Sequence, residues 1–442
     1  MTEYASASPV TIVGAGFSAM ALASQLMQRG IPVRVIGPAR DFACGLAYGG
    51  NDPGHMLNVP ADRMGVDAAR PAAFADHLGL EGEARRAFLP RAAYGRFLRQ
   101  HWQALRESQP ARVEGIEASV EEIRPLATGG FSLRLDDGRG IEARRLVLAL
   151  GTAPLPPASA AGRVIDDPWA GDAFDGVDID DPVLVLGTSL TMIDIVTRLL
   201  RAGHRGRITA LSRRGLLPRR HPEPPLPPQA PSPALLDALQ AGRLAEAVRR
   251  YRQETSGGSS PDALADGLRP QVAAIWRAWP LPVRSRFLRH LRPWWDHVRH
   301  RVPADAMKAL EAAAARGLFG LRAGRLAGFG NDEARVTPRS ARDAIAIPAR
   351  WIVDATGWDG DPARFARHPA LRGLIAAGAA RPDALGLGLA CDADGRVFGA
   401  HGITRNLHVI GGLRRGECWE SSAVPELRAQ AQALAARLAE DD

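Results

Sequence analysis

The sequence of 442 residues contains little cysteine. Its three cysteines, Cys44, Cys391 and Cys418, lie far apart and form no CxxC pair, no zinc-type spacing and no disulfide framework. This distribution excludes a dithiol–disulfide reductase and is typical of a reducing compartment, so we expect a cytoplasmic protein. No apolar run approaches the roughly 18 residues that a membrane span needs, and the N-terminus lacks a basic-then-apolar secretion signal. We therefore expect no membrane partner.

Lysine is nearly absent as well: Lys308 is the only one, so arginine carries almost all of the formal charge of +8. The arginines are scattered, and no aromatic-rich surface for stacking bases accompanies them, so we expect no nucleic-acid partner. His297 and His300 share a helix face in "WWDHVRHR", but the arginines around them repel a cation. No carboxylate or thiol set completes a ligand shell there, so we expect no metal site.

Glycine and alanine form the first informative motif. An apolar strand at 10–13 leads into "GAGFSA", which opens a helical pattern. Gly14 permits the tight turn, Gly16 lets a pyrophosphate approach the backbone, and Ala19 permits close packing of the helix on the strand. The helix N-terminus, which includes Ser18, favours a phosphate group. The motif therefore predicts a dinucleotide-binding lobe at the start of the chain.

The second strand of this lobe, "VRVIGPARD" at residues 33–41, lacks the acidic residue that commonly binds the adenosine ribose. Gly37 stands where that acid is expected. We expect the dinucleotide to be held loosely, with Asp41 as a substitute for the acid or Arg40 stacked on the adenine. On this interpretation, Gly37→Glu tightens dinucleotide binding.

The opening pattern is repeated later in the chain as "VLVLGTSL", with Gly187 at the turn and Leu190 at the start of a helix. Ser189 stands where the second glycine is expected, and its side chain crowds a pyrophosphate held in the usual way. Two interpretations follow: a nicotinamide dinucleotide site, or a duplicated lobe that keeps the fold without the ligand. Arg213 and Arg214 end the next strand, where arginine suits the 2′-phosphate of NADPH.

The rest of the chain connects these two lobes. Residues 113–150 alternate as short strands with a turn signal at Asp137–Gly138, residues 217–233 are proline-rich, and residues 234–315 have a helical pattern. The sequence predicts an α/β fold with two Rossmann-like dinucleotide-binding lobes, β-meander connections and a helical insertion. The predicted boundaries give the first lobe residues 1–155 and 331–442, and the second lobe residues 156–330.

Three more strands end in small residues. "LVLALGT" and "WIVDATG" contain Gly151 and Gly357, and such strands mark places where a chain passes from one dinucleotide lobe to the other. A last strand leads to Gly411 and Gly412 and then towards a helix. We expect this turn to aim backbone N–H groups at a cofactor.

A global resemblance rests on stretches that span nearly the whole chain. They are "VGAGFSA", "GLAYGGNDPGHMLNVPADRM", "FLPRAAYGRFLR", "LVLGTSLTMIDI", "ALSRRGLLPRRH", "RFLRHLRPWWDHVRHR", "WIVDATGW" and "GLRRGECWESSAVPELRAQA". The chain resembles a bacterial family of FAD/NAD(P)-binding proteins with two dinucleotide-binding domains. It is similar to the class B flavin-dependent monooxygenases, which include Baeyer–Villiger and N-hydroxylating enzymes.

The resemblance implies FAD in the first lobe, NADPH in the second, and site residues near the flavin. Candidate catalytic residues are Asn58, Arg91 and Trp419. Candidate cofactor-binding residues are Gly14, Gly16, Ser18, Ala19, Arg40, Asp41, Asn58, Gly151, Gly187, Ser189, Leu190, Arg213, Arg214, Gly357, Gly411 and Gly412.

The activity implied is an FAD-dependent, NADPH-reduced monooxygenase. It oxygenates a small organic substrate with O2 through a C4a-hydroperoxyflavin, by N-hydroxylation or Baeyer–Villiger chemistry. The flavin carries this chemistry, so no acid–base triad is required. Two alternatives stay open at this stage: a flavin oxidase or dehydrogenase without a nicotinamide partner, and a non-catalytic flavin-binding redox protein.

Overall fold

The computed structural model describes residues 8–50, 52–151, 163–357 and 362–440. Its chain forms two compact units. The first unit comprises Met1–Pro53, Val59–Pro156 and Trp358–Asp442, and the second comprises Gly54–Asn58 and Pro157–Gly357.

Strands and helices alternate through both units. The strands are β1 Val10–Val13, β2 Val33–Gly37, β3 Val113–Glu117, β4 Val120–Pro125, β5 Phe131–Leu135, β6 Gly140–Ala143, β7 Arg145–Leu148, β8 Val164–Ile165, β9 Val183–Leu186, β10 Ile208–Ser212, β11 Phe319–Gly330, β12 Glu333–Pro338, β13 Ile345–Pro348, β14 Trp351–Asp354, β15 Arg396–Gly399 and β16 Gly402–Val409. The helices are α1 Phe17–Gln28, α2 Gly45–Gly49, α3 Ala73–His77, α4 Arg91–Ser108, α5 Leu190–Arg201, α6 Pro233–Gln240, α7 Leu244–Ser256, α8 Pro261–Leu268, α9 Val272–Ala278, α10 Leu281–His290, α11 Arg292–Arg299, α12 Ala304–Ala315, α13 Pro362–Arg367, α14 Pro369–Ala376 and α15 Val424–Glu440.

The first unit is built on a sheet in the order β15-β16-β7-β1-β2-β3, in which β1 pairs in parallel with both β2 and β7. All four residues of β1 are buried, as expected for a parallel strand covered on both faces. Helices α1 and α15 pack against each other. Apolar side chains of the three-stranded meander β4-β5-β6 and of α14 share a core with Val13, Ile36 and Leu148. The predicted hairpin turn is confirmed, with Gly138 at φ +84° between β5 and β6.

The second unit repeats this plan in a sheet of order β13-β12-β11-β10-β9-β14-β8. Strand β9 pairs in parallel with β10 and β14, and α5 and α12 contribute to the core beside them. Because β14 belongs to this sheet, the second unit continues to Gly357 and the boundary predicted at residue 330 is wrong. The other predicted boundary, between residues 155 and 156, lies outside the described residues.

The helical insertion lies where the sequence predicts it, with α6 to α12 between residues 233 and 315. Helix α4 begins at Arg91, directly after Pro90, because this proline disfavours a helical conformation for the residue before it. Within the described ranges, no helix is both long and apolar enough to cross a membrane.

The two units share one unusual backbone geometry, at the turn after β1 in the first unit and after β9 in the second. Gly14 has φ +105°, and a Cβ there would lie 2.3 Å from the carbonyl oxygen of Ala149. Gly187 has φ +110°, and a Cβ there would lie 2.3 Å from the carbonyl oxygen of Ala355. Only glycine fits such a position, because a side chain meets both an unfavourable φ and a backbone atom. The repeat predicted from the sequence is therefore also a repeat of local geometry.

A matched pair of substitutions tests this constraint. Gly258 has φ +105° and no atom within 4 Å of its notional Cβ, so Gly258→Ala introduces backbone strain alone, about 1–2 kcal/mol. Gly187→Ala adds the overlap with Ala355, which costs about 1–3 kcal/mol more. We expect urea unfolding to show the larger loss of stability for Gly187→Ala. Equal losses would contradict the close approach.

Candidate functional site

The turn of the first unit leaves the start of α1 open to an anion. Gly16 has φ −90° and ψ −168°, and its carbonyl oxygen accepts hydrogen bonds from the backbone N–H groups of Ala19 and Met20. Within the described chain, no side chain caps α1 and its first turn holds no acidic residue. The positive end of the helix dipole at this uncapped helix start therefore favours a phosphate group.

The last strand of the sheet brings a second glycine to this helix. A Cβ on Gly411 would lie 2.9 Å from the Oγ of Ser18, and Gly411 has φ +81°. The structure thus brings Gly411 to Ser18, beside the turn formed by Gly14 and Gly16. The Gly411 N–H donates to Oε1 of Gln430 at 3.1 Å, however, so this N–H does not serve a cofactor directly.

The backbone of α2 packs directly on the first turn. Gly45 has φ +60°, and a Cβ there would lie 2.9 Å from the Cα of Gly16. In the opposite direction, a Cβ on Gly16 would meet the Cα of Gly45 at 3.4 Å. A longer side chain at position 16 would therefore press on α2. Sequence reasoning gave Gly45 no specific role, because the contact joins two segments that are distant in sequence.

Position 37 holds glycine and not an acidic residue because the surrounding backbone leaves no space for a side chain. A Cβ on Gly37 would lie 2.5 Å from the Cβ of Ala15 and 2.9 Å from its backbone nitrogen. The expectation that Gly37→Glu tightens dinucleotide binding is therefore wrong, since the position has no room for a side chain. The predicted substitutes lie just beyond: Arg40 and Asp41 pair with each other at 3.1 Å, and the Arg40 side chain is 66% exposed.

We expect Gly37→Glu to lower the stability of the first unit and its retention of FAD, because the new side chain displaces the Ala15 backbone. In the double variant Ala15→Gly/Gly37→Ala, removal of the Ala15 Cβ relieves the shortest contact, so this variant is expected to retain more FAD than Gly37→Ala alone. Flavin absorbance after gel filtration measures retention. FAD retention by Gly37→Glu at or above that of the unsubstituted protein would contradict the steric explanation.

The second turn keeps the geometry of the first with a different side chain. Ser189 has φ −96° and ψ −161°, within 10° of the values at Gly16, and it is exposed. No acidic residue stands in the first turn of α5, which begins at Leu190. Serine is tolerated here because its backbone is unstrained and its side chain reaches solvent. Ser189 therefore does not indicate a lost nucleotide turn.

Polar contacts join this turn to the end of β10. The hydroxyl of Thr188 donates to the carbonyl oxygen of Leu216 at 2.6 Å and lies 3.0 Å from the Oγ of Ser212. Thr188 and Ser212 occupy the positions that Ala15 and Gly37 have in the first unit. The tight apolar contact of the first unit is thus replaced by hydrogen bonds in the second.

The two arginines after β10 differ in their surroundings. Arg213 is exposed and makes no hydrogen bond or ion pair with any described residue. Arg214 donates to the carbonyl oxygen of His290 at 3.3 Å, and its guanidinium lies 5.9 Å from the ring centroid of Trp294. The sequence alone treats the pair as equivalent, whereas the structure leaves Arg213 available to an anion and engages Arg214 with the insertion.

Asn58 lies in the second unit, together with the rest of Gly54–Asn58. Its carbonyl oxygen is 3.2 Å from Nε2 of His221. Burial, with Arg301 nearby, lowers the pKa of His221 to about 4, so the ring is neutral at neutral pH and its N–H can donate to Asn58. Sequence reasoning missed His221. The only signal for it was a histidine within the proline-rich connector.

Arg91 and Trp419 both lie in the first unit. Arg91 begins α4 and lies close to Tyr48. Burial raises the pKa of Tyr48 to about 12, and the positive charge of Arg91 acts to lower this pKa. The Trp419 side chain is only 4% exposed, and the Arg415 guanidinium lies 4.5 Å from its ring centroid. Trp419 therefore packs in the interior of the first unit, and its catalytic role stays a prediction.

The strand ends predicted to link the lobes have matching geometry. Gly151 follows β7 with φ +64° and Gly357 follows β14 with φ +68°, each three residues after its strand. Gly412 is buried in a short 3-10 turn after β16. Within the part of the chain that the structure describes, no group of three or more His, Cys, Asp or Glu side chains is suited to a metal ion.

Comparisons with known proteins agree with this arrangement. Residues 11–153 match a family model described as FAD-NAD(P)-binding. A phytoene desaturase (lycopene-forming) of Pantoea ananas is 28% identical over 150 residues, which are 33% of this chain and 29% of that protein. The chain thus spans under a third of the length of this curated relative.

Three solved structures resemble the whole chain, each covering 98% of it. The first is an ornithine N-hydroxylase of Kutzneria sp. 744 in complex with reduced FAD, NADP+ and L-ornithine, with 17% identity, 99% of that chain covered and a TM-score of 0.63. The second is a cadaverine monooxygenase of Erwinia amylovora bound to FAD, with 13% identity, 95% of that chain covered and a TM-score of 0.64. The third is a mutant flavin monooxygenase of Stenotrophomonas maltophilia, with 13% identity, 98% of that chain covered and a TM-score of 0.57. The chain therefore has the two-lobe fold of FAD- and NADP-dependent oxidoreductases, as the sequence resemblance predicts.

Proposed function

We propose that the protein is an FAD-dependent, NADPH-reduced monooxygenase that N-hydroxylates a small primary amine. The observation that carries this proposal is the presence of two complete nucleotide turns, at Gly14–Ser18 in the first unit and at Gly187–Leu190 in the second. One turn is required for FAD and the other for the reductant. The likeness in fold to an ornithine N-hydroxylase and a cadaverine monooxygenase supports an amine as substrate.

The residues of each turn fit a dinucleotide. Bound FAD would supply the redox chemistry, a hydride from NADPH reducing it and O2 being split so that one oxygen atom would enter the substrate and the other leave as water. In the first unit, the uncapped start of α1 binds the pyrophosphate and Gly16 allows its close approach. In the second unit, α5 offers the same dipole end, and the unpaired Arg213 guanidinium binds the 2′-phosphate that distinguishes NADPH from NADH.

Residues outside the two turns position the remaining parts of the site. The neutral ring of His221 is hydrogen-bonded to the backbone carbonyl of Asn58, which holds the backbone at the end of the segment Gly54–Asn58. We assign Asn58 to polar contact with the flavin or the substrate, and Arg91 to binding of an anionic group of either one. Trp419, being buried, is assigned to support of the turn after β16.

A flavin oxidase without a nicotinamide partner is the principal alternative. A serine that crowded the pyrophosphate would favour this alternative, but Ser189 keeps the backbone conformation of Gly16 and its side chain is exposed. Baeyer–Villiger oxygenation uses the same cofactors, so only the product distinguishes it from N-hydroxylation.

The purified protein tests the proposal in two steps. We expect bound FAD in the visible spectrum, and anaerobic NADPH to bleach it faster than an equal concentration of NADH. In air, L-ornithine, L-lysine, cadaverine and putrescine are each supplied with NADPH, and mass spectrometry follows an oxygen-18 label from O2. A hydroxylamine that carries one labelled atom from any of these amines supports the proposal.

Cyclohexanone serves as the control substrate for Baeyer–Villiger chemistry. If a labelled lactone forms and no labelled hydroxylamine does, the substrate of the enzyme is a ketone and not an amine. No bleaching by either nicotinamide would contradict the assignment of the second turn, and a protein that neither retains nor takes up FAD would contradict the function altogether.

A further inference from the structure

Helix α11 of the insertion lies against the segment that leaves β10. Arg214 donates to the carbonyl oxygen of His290, which ends α10, and its guanidinium lies over the Trp294 ring. Further along, a ring nitrogen of His297 is hydrogen-bonded to the carbonyl oxygen of Leu217, and the His297 carbonyl accepts from the Arg219 N–H at 3.2 Å. These contacts hold α11 alongside residues 214–219.

The same segment is tied to the nucleotide turn of its unit. Thr188, between Gly187 and Ser189, donates to the carbonyl oxygen of Leu216, and the Gly215 N–H donates to the Oγ of Ser212 at 3.0 Å. A continuous set of hydrogen bonds therefore runs from the turn, through the end of β10, to α11. The insertion is fixed at the edge of the sheet where a Rossmann unit binds the adenosine of its dinucleotide.

Trp294 stands out on this edge because it is 48% exposed although its indole is held by a cation. An indole ring that remains half exposed buries little area in the core and offers a flat face on which a planar base can stack. Arg213 directly precedes Arg214 in the chain, and it is exposed with no hydrogen bond or ion pair among the described residues. An aromatic face that contacts Arg214 and an unpaired guanidinium on the residue before it match the two parts of an adenosine 2′-phosphate, a base that stacks and a dianion.

We propose that the helical insertion forms part of the nicotinamide nucleotide site, with Trp294 as the wall on which the adenine stacks. In this arrangement Arg213 alone binds the 2′-phosphate, and Arg214 is a positioning residue that holds the indole. The inference rests on the proposed function, since it takes NADPH as the ligand of the second unit. It goes further by assigning adenine recognition to the insertion rather than to the Rossmann unit itself.

The test measures nucleotide binding directly and without turnover. Isothermal titration calorimetry on the FAD-loaded protein compares 2′,5′-ADP with 5′-AMP, which lack the nicotinamide and differ only in the 2′-phosphate. Trp294→Ala is expected to weaken the binding of both ligands about tenfold, which is the scale of a lost base–aromatic contact. Trp294→Phe is expected to keep most of the affinity. Arg213→Ala is expected to weaken 2′,5′-ADP about tenfold or more and to leave 5′-AMP unchanged.

Arg286→Ala is the matched control, because it removes one exposed charge from α10 of the same insertion and is expected to change neither affinity by more than twofold. Circular dichroism checks that each variant is folded. Arg214→Ala is expected to weaken the binding of both ligands, because Trp294 loses the cation that holds its indole. Arg214→Lys is expected to keep part of the affinity.

Unchanged affinity for both nucleotides in Trp294→Ala, with binding intact in the unsubstituted protein, overturns the inference and leaves the proposed function standing. Loss of 2′,5′-ADP binding alone in Trp294→Ala also overturns it, because the indole would then serve the phosphate. If the unsubstituted protein binds neither nucleotide, the proposed reduction by NADPH fails, and the inference fails with it.

Discussion

The close approach of a strand-end carbonyl to a glycine is the constraint on which both units depend. Gly14 and Gly187 each bend the chain at positive φ, with the carbonyl oxygens of Ala149 and Ala355 where a Cβ would stand. This contact sets how the first helix of each unit leaves its sheet and therefore where the helix N-terminus points. The nucleotide turns, and the function proposed from them, follow from that backbone geometry and only secondarily from side chains.

The two copies of the turn differ in what packs around them. In the first unit, Ala15 and Gly37 meet in a contact that excludes side chains, and α2 presses on Gly16. In the second unit, Thr188 and Ser212 make hydrogen bonds, and the position of Gly16 is taken by an exposed serine. A tightly enclosed turn suits a cofactor that stays bound, whereas an open one suits a nucleotide that must arrive and leave in each cycle.

The sequence predicted the features that depend on local pattern. Both turns, the β-hairpin at Gly138, the proline-rich connector and the helical insertion are where periodicity and glycine spacing indicate. It failed where contacts join distant segments. The steric role of Gly37 depends on Ala15, the different roles of Arg213 and Arg214 depend on α11, and the unit boundary at Gly357 depends on the pairing of β14 with β9. None of these contacts can be recognised from the residues next to them in the sequence.

The central claim is that the two turns hold two different dinucleotides at once, FAD in the first unit and NADP(H) in the second. Native mass spectrometry of the protein with FAD and NADP+ measures this directly. The account predicts one FAD and one NADP+ per chain, with FAD retained after NADP+ is removed by buffer exchange. Two FAD molecules per chain, or NADP+ that binds only by displacing FAD, would contradict it.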